Sequence, residues 1–181
     1  SYSWMSELYS RAPYVSDRDR VQLDAEGSIQ YGMYYWDDNY PDSHVFAEGE
    51  CLRKTFDPDF MLYHTMAVDE WGHMKGADSA EYANAVAAVG HLIAARMPEW
   101  LEKGYQVVVT ADHGMNNLGI HVGTEHAQRE VALYIFSDKV ENGRFEEKYI
   151  SQLNVAPLVC KLMGVPATEG MKQELEIVFS K

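Results

Sequence analysis

The apolar positions along the chain follow two different periods. Uninterrupted runs of apolar residues, bounded by polar or turn-forming residues, predict buried strands. A helix is predicted instead where apolar residues recur every three or four positions, as they do from Tyr82 to Met97. The predicted strands are residues 31–36, 60–68, 106–110, 131–136 and 175–179.

Helices are predicted between these strands from their end residues as well as from their apolar stripes. Asp42 is placed to cap a helix that runs to about Lys54. Asp78 is placed to cap a second and longer helix, which Pro98 kinks or restarts. A third helix is predicted over residues 151–163, because glycine and proline follow its end.

The alternation of strands and helices predicts the fold class. Strands that alternate with helices are typical of a mostly parallel sheet with helices on both faces. We therefore predict an α/β fold, organised as a single domain over residues 1–181. Hydrophobic residues make up 46% of the chain, which is enough to build the core of such a domain.

Charge and composition argue against several classes of protein. The net charge is −13 and no run of Lys or Arg is present, so we expect no nucleic-acid-binding surface. No apolar run reaches the ~18–20 residues that a membrane-spanning helix needs. Cys51 and Cys160 do not make a disulfide framework, and we interpret both as small buried hydrophobic residues. An anionic substrate is still allowed, because bound cations can reverse the local field of a site.

Residues of the types that commonly bind metal ions follow two of the predicted strands. Asp69 follows the strand over residues 60–68, and Asp112 and His113 follow the strand over residues 106–110. Because sites in parallel α/β sheets lie at the carboxyl ends of strands, we expect these side chains to meet. Carboxylate oxygen and neutral imidazole are ordinary ligands of divalent ions, so the pattern predicts a metal site.

Two further histidines extend this candidate cluster. His73 lies four residues after Asp69, within reach of the same ion if the turn between them is helical. His126 precedes the strand predicted over residues 131–136, and the loop before it can fold over the same edge of the sheet. His121 is the nearest competitor of His126, and we interpret it as a neighbour of the ligands. A single buried histidine is more often a hydrogen-bonded core residue, but three segments of ligand type together favour a metal site.

Three motifs in fixed order carry a resemblance to a known family. The segments DEWGH (69–73), VVVTADHGM (107–115) and GTEHAQREVALYIF (123–136) resemble the alkaline phosphatase superfamily. The DHGM form, preceded by a helix and Gly-Tyr-Gln-Val-Val-Val, is most similar to the nucleotide pyrophosphatase/phosphodiesterase branch. The predicted third helix resembles the C-terminal helix of these enzymes.

The resemblance implies an alkaline-phosphatase-like fold and a two-metal hydrolase of small-molecule phosphodiesters or nucleotide pyrophosphates. By motif, Asp69, His73 and His126 would hold one divalent ion, and Asp112 and His113 would hold the other. Zinc is the favoured metal and manganese is the alternative. Two ions about 4 Å apart can activate the nucleophile and the leaving group of an in-line displacement.

The sequence departs from the family pattern at its beginning. The family also uses a further Asp and a Thr or Ser nucleophile, which come from an N-terminal strand and helix start. No such unit is recognisable before residue 40, so we assign no catalytic nucleophile within the chain and expect a Thr or Ser upstream of Ser1. We therefore expect the chain to be the C-terminal part of a longer enzyme and inactive alone. An absent inner strand would expose apolar surface, which makes self-association an open alternative.

Other functions stay open at this point. GTEHAQRE also resembles a segment of phosphopentomutases, and cofactor-independent phosphoglycerate mutases share the Asp-His chemistry. A phosphonate hydrolase of the same superfamily is a further alternative. A non-catalytic metal-binding module would use the same ligands without any nucleophile.

Overall fold

In the computed structural model, residues 1–144, 149–171 and 174–180 of the chain are described. They form short strands, α-helices and one 3-10 helix. In chain order these elements are α1 (Trp4–Tyr9), α2 (Ser16–Asp19), β1 (Val21–Leu23), β2 (Tyr31–Met33), α3 (Asp42–Phe56), α4 (Ala67–Lys75), α5 (Ala80–Ala94), α6 (Met97–Glu102), β3 (Val107–Val109), α7 (His126–Arg129), β4 (Tyr134–Phe136), the 3-10 helix (Gln152–Asn154) and α8 (Val155–Met163).

The chain divides into two compact units. The first unit comprises Ser1–Arg96 and His113–Glu130, and the second comprises Met97–Asp112 and Val131–Lys181. The first unit therefore contains α1 to α5, β1, β2 and α7, and the second contains the other elements. The single domain over residues 1–181 that the sequence predicts stays a prediction.

The first unit has an aromatic core next to a small sheet. β1 and β2 pair antiparallel, with Val21 opposite Met33. Directly after β2, Tyr34 and Tyr35 are almost completely buried, as is Phe46 on α3. α3 packs against β2 and α5, and α5 packs along α4, so α4 is held within this unit.

The second unit is built on one short sheet and one helix. β3 and β4 pair antiparallel, with Val107 opposite Phe136. Leu158 and Leu162 of α8 and Ile177 form the buried centre of its hydrophobic core. One face of α8 is therefore apolar, as the sequence predicts for a helix that covers a sheet.

The structure differs most from the sequence prediction in its sheets, which were expected to be mostly parallel. The two strands predicted over residues 106–110 and 131–136 are confirmed in shortened form, but they pair antiparallel. Residues 61–66 contain no strand, and residues 175–179 contribute only an isolated bridge to Val140. Within the described ranges the fold is a mixture of helices and small antiparallel sheets. A short apolar run cannot by itself distinguish a strand from an extended segment that is buried without a strand partner.

The helix predictions are closer to the structure than the strand predictions. α3 and α8 are confirmed, and the predicted long helix is interrupted before Pro98 into α5 and α6. Their caps differ from the expected ones: Ser79, and not Asp78, caps α5 by accepting a hydrogen bond from the Tyr82 amide, 3.1 Å away. The expectation that both cysteines are buried is wrong for Cys51, which is exposed on α3.

Membrane-spanning character is not found in the described part of the chain. None of its helices combines the length and the apolar character needed to cross a bilayer.

Candidate metal centre

Asp69 and His73 are brought together by the geometry of α4. Residues four positions apart lie on the same face of a helix, one turn apart. The Nε2 atom of His73 lies 3.5 Å from the Oδ2 atom of Asp69. The predicted pairing of these two residues is thus present, although Asp69 lies within a helix and does not follow a strand.

The first turn of α4 is anchored by a carboxylate from another helix. Asp42, at the start of α3, accepts hydrogen bonds at Oδ1 from the backbone amides of Met66 (3.1 Å) and Ala67 (3.5 Å). These amides have no partner within the helix, so Asp42 caps α4 and not its own helix. Burial raises the pKa of Asp42, and the two hydrogen bonds oppose that shift.

The last turn of α4 is held by the loop over residues 116–120. The carbonyl of Gly119 lies 2.8 Å from the Nδ1 atom of His73. Because a carbonyl can only accept, Nδ1 carries the proton and donates it, which leaves Nε2 as the ligand atom. Gly119 adopts φ +73°, and a Cβ atom there would lie 2.6 Å from the carbonyl oxygen of His73. This approach therefore requires glycine.

Asn116 shapes the same loop. Its Oδ1 atom accepts hydrogen bonds from the backbone amides of Leu118 (3.1 Å) and Ile120 (2.9 Å). Its backbone amide donates to the carbonyl of Ile120, 3.2 Å away. These contacts close the turn immediately before His121, so the position of that histidine is fixed relative to α4.

His121 completes a cluster of three side chains of the types that commonly bind metal ions. One ligand atom from each of Asp69, His73 and His121 can be chosen so that all three lie within 4.8 Å of one another. The rings of His73 and His121 meet edge to face, with centroids 5.0 Å apart. Separations of this size fit side chains that surround a single ion at bonding distances of ~2.0–2.2 Å.

His113 lies against the other side of this cluster. Its ring stacks on that of His121, with centroids 3.8 Å apart and an angle of 14° between the planes. Its Nε2 atom is 3.7 Å from the Oδ1 atom of Asp69. The carboxylate of Asp69 thus has one oxygen near His73 and the other near His113.

The Oδ1 atom of Asp69 provides a test of whether the residues fit a metal ion. This oxygen is buried and has no hydrogen-bond partner among the residues that the structure describes. A buried carboxylate oxygen without a donor is costly unless a cation compensates it. Burial, followed by the negative charge of Asp69, raises the pKa of the nearby Tyr82 phenol. One carboxylate with several imidazoles around it is a donor set that suits zinc and similar ions.

Besides His113, two further predicted ligands lie outside this cluster of three. Asp112 belongs to the second unit, where its side chain is exposed and its carbonyl accepts a hydrogen bond from Gln152 Nε2, 2.9 Å away. His126 begins α7, its side chain is 89% exposed, and its Nδ1 atom contacts the carboxylate of Glu130. Their roles as ligands stay predictions.

The sequence predicts His121 to be a neighbour of the ligands, whereas the structure places it in one cluster with Asp69 and His73. Its signal in the sequence is the Asn-Asn-Leu-Gly turn that precedes it, since asparagine and glycine favour tight turns. That signal predicts a turn, but not the element against which the turn packs.

A comparison with protein families gives a match over a range that contains these residues. The sequence profile described as type I phosphodiesterase / nucleotide pyrophosphatase matches residues 6–156, which include Asp69, His73, His113 and His121. The chain belongs to this family. The family lies in the alkaline phosphatase superfamily, so the predicted resemblance is confirmed.

Curated relatives of this phosphodiesterase-family chain are phosphoester enzymes of two kinds. It is 27% identical over 157 residues to the catalytic subunit of GPI ethanolamine phosphate transferase 3 of Mus musculus. It is 25% identical over 182 residues to GPI ethanolamine phosphate transferase 3 of Saccharomyces cerevisiae. A 2,3-bisphosphoglycerate-independent phosphoglycerate mutase of Wolinella succinogenes is 31% identical over 121 residues.

The chain is much shorter than these relatives. The three alignments cover 82%, 91% and 65% of the chain but only 14%, 16% and 23% of the respective relatives. No solved structure gives a significant match to the chain.

Proposed function

We propose that the chain carries the metal centre of an enzyme that hydrolyses phosphodiester or nucleotide pyrophosphate bonds. The observation that carries this proposal is the cluster of Asp69, His73 and His121, together with the buried, unpartnered Oδ1 atom of Asp69. Three protein ligands and one open position are the pattern of catalytic zinc sites. The family to which the chain belongs supports a phosphoester substrate.

The residues of the cluster have separate tasks. Asp69 contributes the negative charge, and His73 presents Nε2 because the Gly119 carbonyl holds its Nδ1 proton. His121 contributes the third donor, in the place that the motif comparison gave to His126. A bound divalent ion would polarise a phosphoryl oxygen and stabilise negative charge on it. Zinc suits the mixed nitrogen and oxygen donors best, and manganese is the alternative.

A second divalent ion is the next part of the proposal. The family resemblance places it at Asp112 and His113, and the position of His113 beside Asp69 supports this assignment. With fewer ligands from this chain, we expect that ion to bind more weakly than the first. No nucleophile is assigned, and a Thr or Ser upstream of Ser1 stays the prediction.

A second candidate function is the transfer of phosphoethanolamine to an acceptor alcohol. It is favoured by the names of the relatives, several of which are GPI ethanolamine phosphate transferases. Hydrolysis and transfer can use the same metal centre, since they differ in whether water or an alcohol receives the phosphoryl group.

Zinc titration of the purified chain tests the proposed centre. We expect one tightly bound ion per chain, a second weakly bound ion, and loss of the tight step in His73→Ala. His91→Ala, which removes an exposed imidazole from α5, is the control and should bind like the wild type. Absence of a tight step, or an unchanged tight step in His73→Ala, would contradict the proposal.

Product analysis distinguishes hydrolysis from transfer. We expect turnover only in a chain that also carries the predicted upstream nucleophile. Such a protein, loaded with zinc, is given a phosphoethanolamine diester with and without an acceptor alcohol. Release of free phosphoethanolamine that does not depend on the alcohol supports hydrolysis. Formation of a new ester only when the alcohol is present would replace hydrolysis by transfer.

A further inference from the structure

Gln128, in the short helix α7, is a polar residue that the structure buries to 6% exposure. Its side-chain Nε2 atom donates a hydrogen bond to the carbonyl oxygen of Ile120, 3.1 Å away. Its Oε1 atom accepts a hydrogen bond from the backbone amide of Glu125, 3.2 Å away. Because a buried amide is costly unless it is hydrogen-bonded, these two contacts fix the orientation of the side chain.

The carbonyl that Gln128 holds belongs to the peptide directly before His121. On the other side of Ile120, the backbone amide donates to the Oδ1 atom of Asn116, 2.9 Å away. The amide and the carbonyl of Ile120 are thus each held by a buried side chain. The backbone from which the His121 ring projects therefore depends on Gln128 as well as on Asn116.

The main chain of Gln128 holds the segment that carries the other histidine of the stacked pair. Its carbonyl oxygen accepts a hydrogen bond from the backbone amide of Gly114, 2.9 Å away, and Gly114 directly follows His113. A Cβ atom at Gly114 would collide with the carbonyl oxygen of Ala127, so this segment lies directly against α7. One residue of α7 therefore contacts a peptide that adjoins His113 and a peptide that adjoins His121.

The structure assigns Gln128 as a positioning residue that sets the stacking of His113 on His121. The two rings are 3.8 Å apart between centroids, with 14° between their planes. Loss of the Ile120 contact frees one side of this pair while the other stays attached to α7. The effect on zinc rests on the proposed function, in which His121 is a ligand. Partners that orient a ligand without binding the ion typically change metal affinity by 10–100-fold.

A capping box gives Gln128 a second role, which the test has to separate from positioning. The Glu125 side chain accepts a hydrogen bond from the backbone amide of Gln128, and the Gln128 side chain accepts one from the backbone amide of Glu125. Glutamate serves at this position of a capping box as glutamine does, because the box needs only an acceptor oxygen there. An ionised carboxylate cannot donate to the carbonyl of Ile120. Gln128→Glu therefore keeps the cap and removes the contact next to His121.

NMR of the histidine ring protons in the metal-free chain, followed by zinc titration, tests the assignment. Ring currents of stacked rings shift the resonances of each other's protons upfield, so the wild type should show this shift for His113 and His121. At about pH 8, well above the ordinary pKa of a carboxyl, Gln128→Glu should lose the shift. It should also bind zinc about tenfold more weakly. Its circular dichroism spectrum should stay that of the wild type.

Gln30→Glu is the matched control. The Nε2 atom of Gln30 also donates to a backbone carbonyl, that of Ala25 at 3.2 Å, in the connection between β1 and β2. This variant should change neither the ring resonances nor the zinc affinity. Gln128→Met, which has a similar length and no donor, is the second variant if Gln128→Glu does not fold. It should lose the upfield shift as well.

The outcomes separate the positioning role from the metal centre. Unchanged ring resonances in a folded Gln128 variant would overturn the assignment, as would equal changes in Gln30→Glu. Loss of the shift with unchanged zinc affinity would overturn the role of Gln128 at the metal centre. If the wild type has no tight zinc site, the proposed function fails, whereas the ring resonances of the metal-free chain still test the positioning of His113 and His121.

Discussion

His121 and His126 belong to the same short segment, yet their surroundings differ. His121 follows a turn closed by Asn116, and its ring packs between those of His73 and His113. His126 begins the four-residue helix α7, its side chain is 89% exposed, and its ring contacts the carboxylate of Glu130. The comparison teaches that the turn before a histidine, and not its residue type or motif alone, decides whether its ring lies beside Asp69 and His73.

Exchange of each histidine for alanine should give the largest difference in zinc affinity between His121 and His126. We expect His121→Ala to weaken the tight zinc site by about 100-fold or more, because it removes a direct donor from a site where outer-shell changes already have effects of 10–100-fold. His126→Ala should change the affinity by about twofold or less, as for an exposed side chain. Competition with a zinc-binding dye measures both. A stronger loss in His126→Ala would restore the motif-based assignment.

Substitution of Gly119 should have the next largest effect. Gly119→Ala places a Cβ atom against the carbonyl of His73 at a positive φ, so we expect a loss of about 1–3 kcal/mol of unfolding free energy. Zinc affinity should fall by about tenfold, since the carbonyl that orients His73 is displaced. Urea denaturation and zinc titration measure the two effects.

Gly90 offers a matched control for that substitution. It lies within α5, and a Cβ atom there would meet nothing within 4 Å. Gly90→Ala should therefore stabilise the chain by about 0.5–1 kcal/mol and leave zinc affinity unchanged. Equal changes of unfolding free energy and zinc affinity in Gly119→Ala and Gly90→Ala would show that the loop does not hold His73.

Removal of the cap on α4 should have the smallest effect of the three. Asp42→Ala leaves the amides of Met66 and Ala67 without their acceptor, which should lower the unfolding free energy by about 1 kcal/mol. Asp42→Asn keeps an acceptor oxygen and should lose less. Zinc affinity should also fall slightly in Asp42→Ala, because Asp69 lies in the first turn of α4, which this cap anchors. If Asp42→Asn lowers the unfolding free energy as much as Asp42→Ala does, loss of the cap is not the reason for the lower stability.

The helices, which depend mainly on local sequence, could be predicted better than the strands. α3, α5 and α8 follow from apolar spacing and from the helix-ending residues that come after them, although neither Asp42 nor Asp78 caps the helix that it was expected to cap. The strand predicted over residues 60–68 was wrong: residues 61–66 contain no strand, and α4 begins at Ala67, where Asp42, distant in sequence, accepts a hydrogen bond from the backbone amide. Antiparallel pairing of β3 with β4 is likewise a property of the whole fold and leaves no signal in either strand.

The candidate site likewise combines a feature that local sequence predicts with one that depends on contacts distant in the chain. Asp69 and His73 could be paired from their spacing of four, which needs only a helical turn. The contribution of His121 depends on Gly119 approaching the end of α4 and on the side chain of Asn116 closing the turn. These are contacts between segments that are distant in the chain, so residue type and order alone could not rank His121 above His126.

Anomalous X-ray diffraction at the zinc absorption edge, from crystals of the zinc-loaded chain, tests the central claim most directly. The account predicts a strong peak at about 2.0–2.2 Å from Asp69, from the Nε2 atom of His73 and from a ring nitrogen of His121. A strong peak at His126 and Glu130 with none at Asp69 would contradict it.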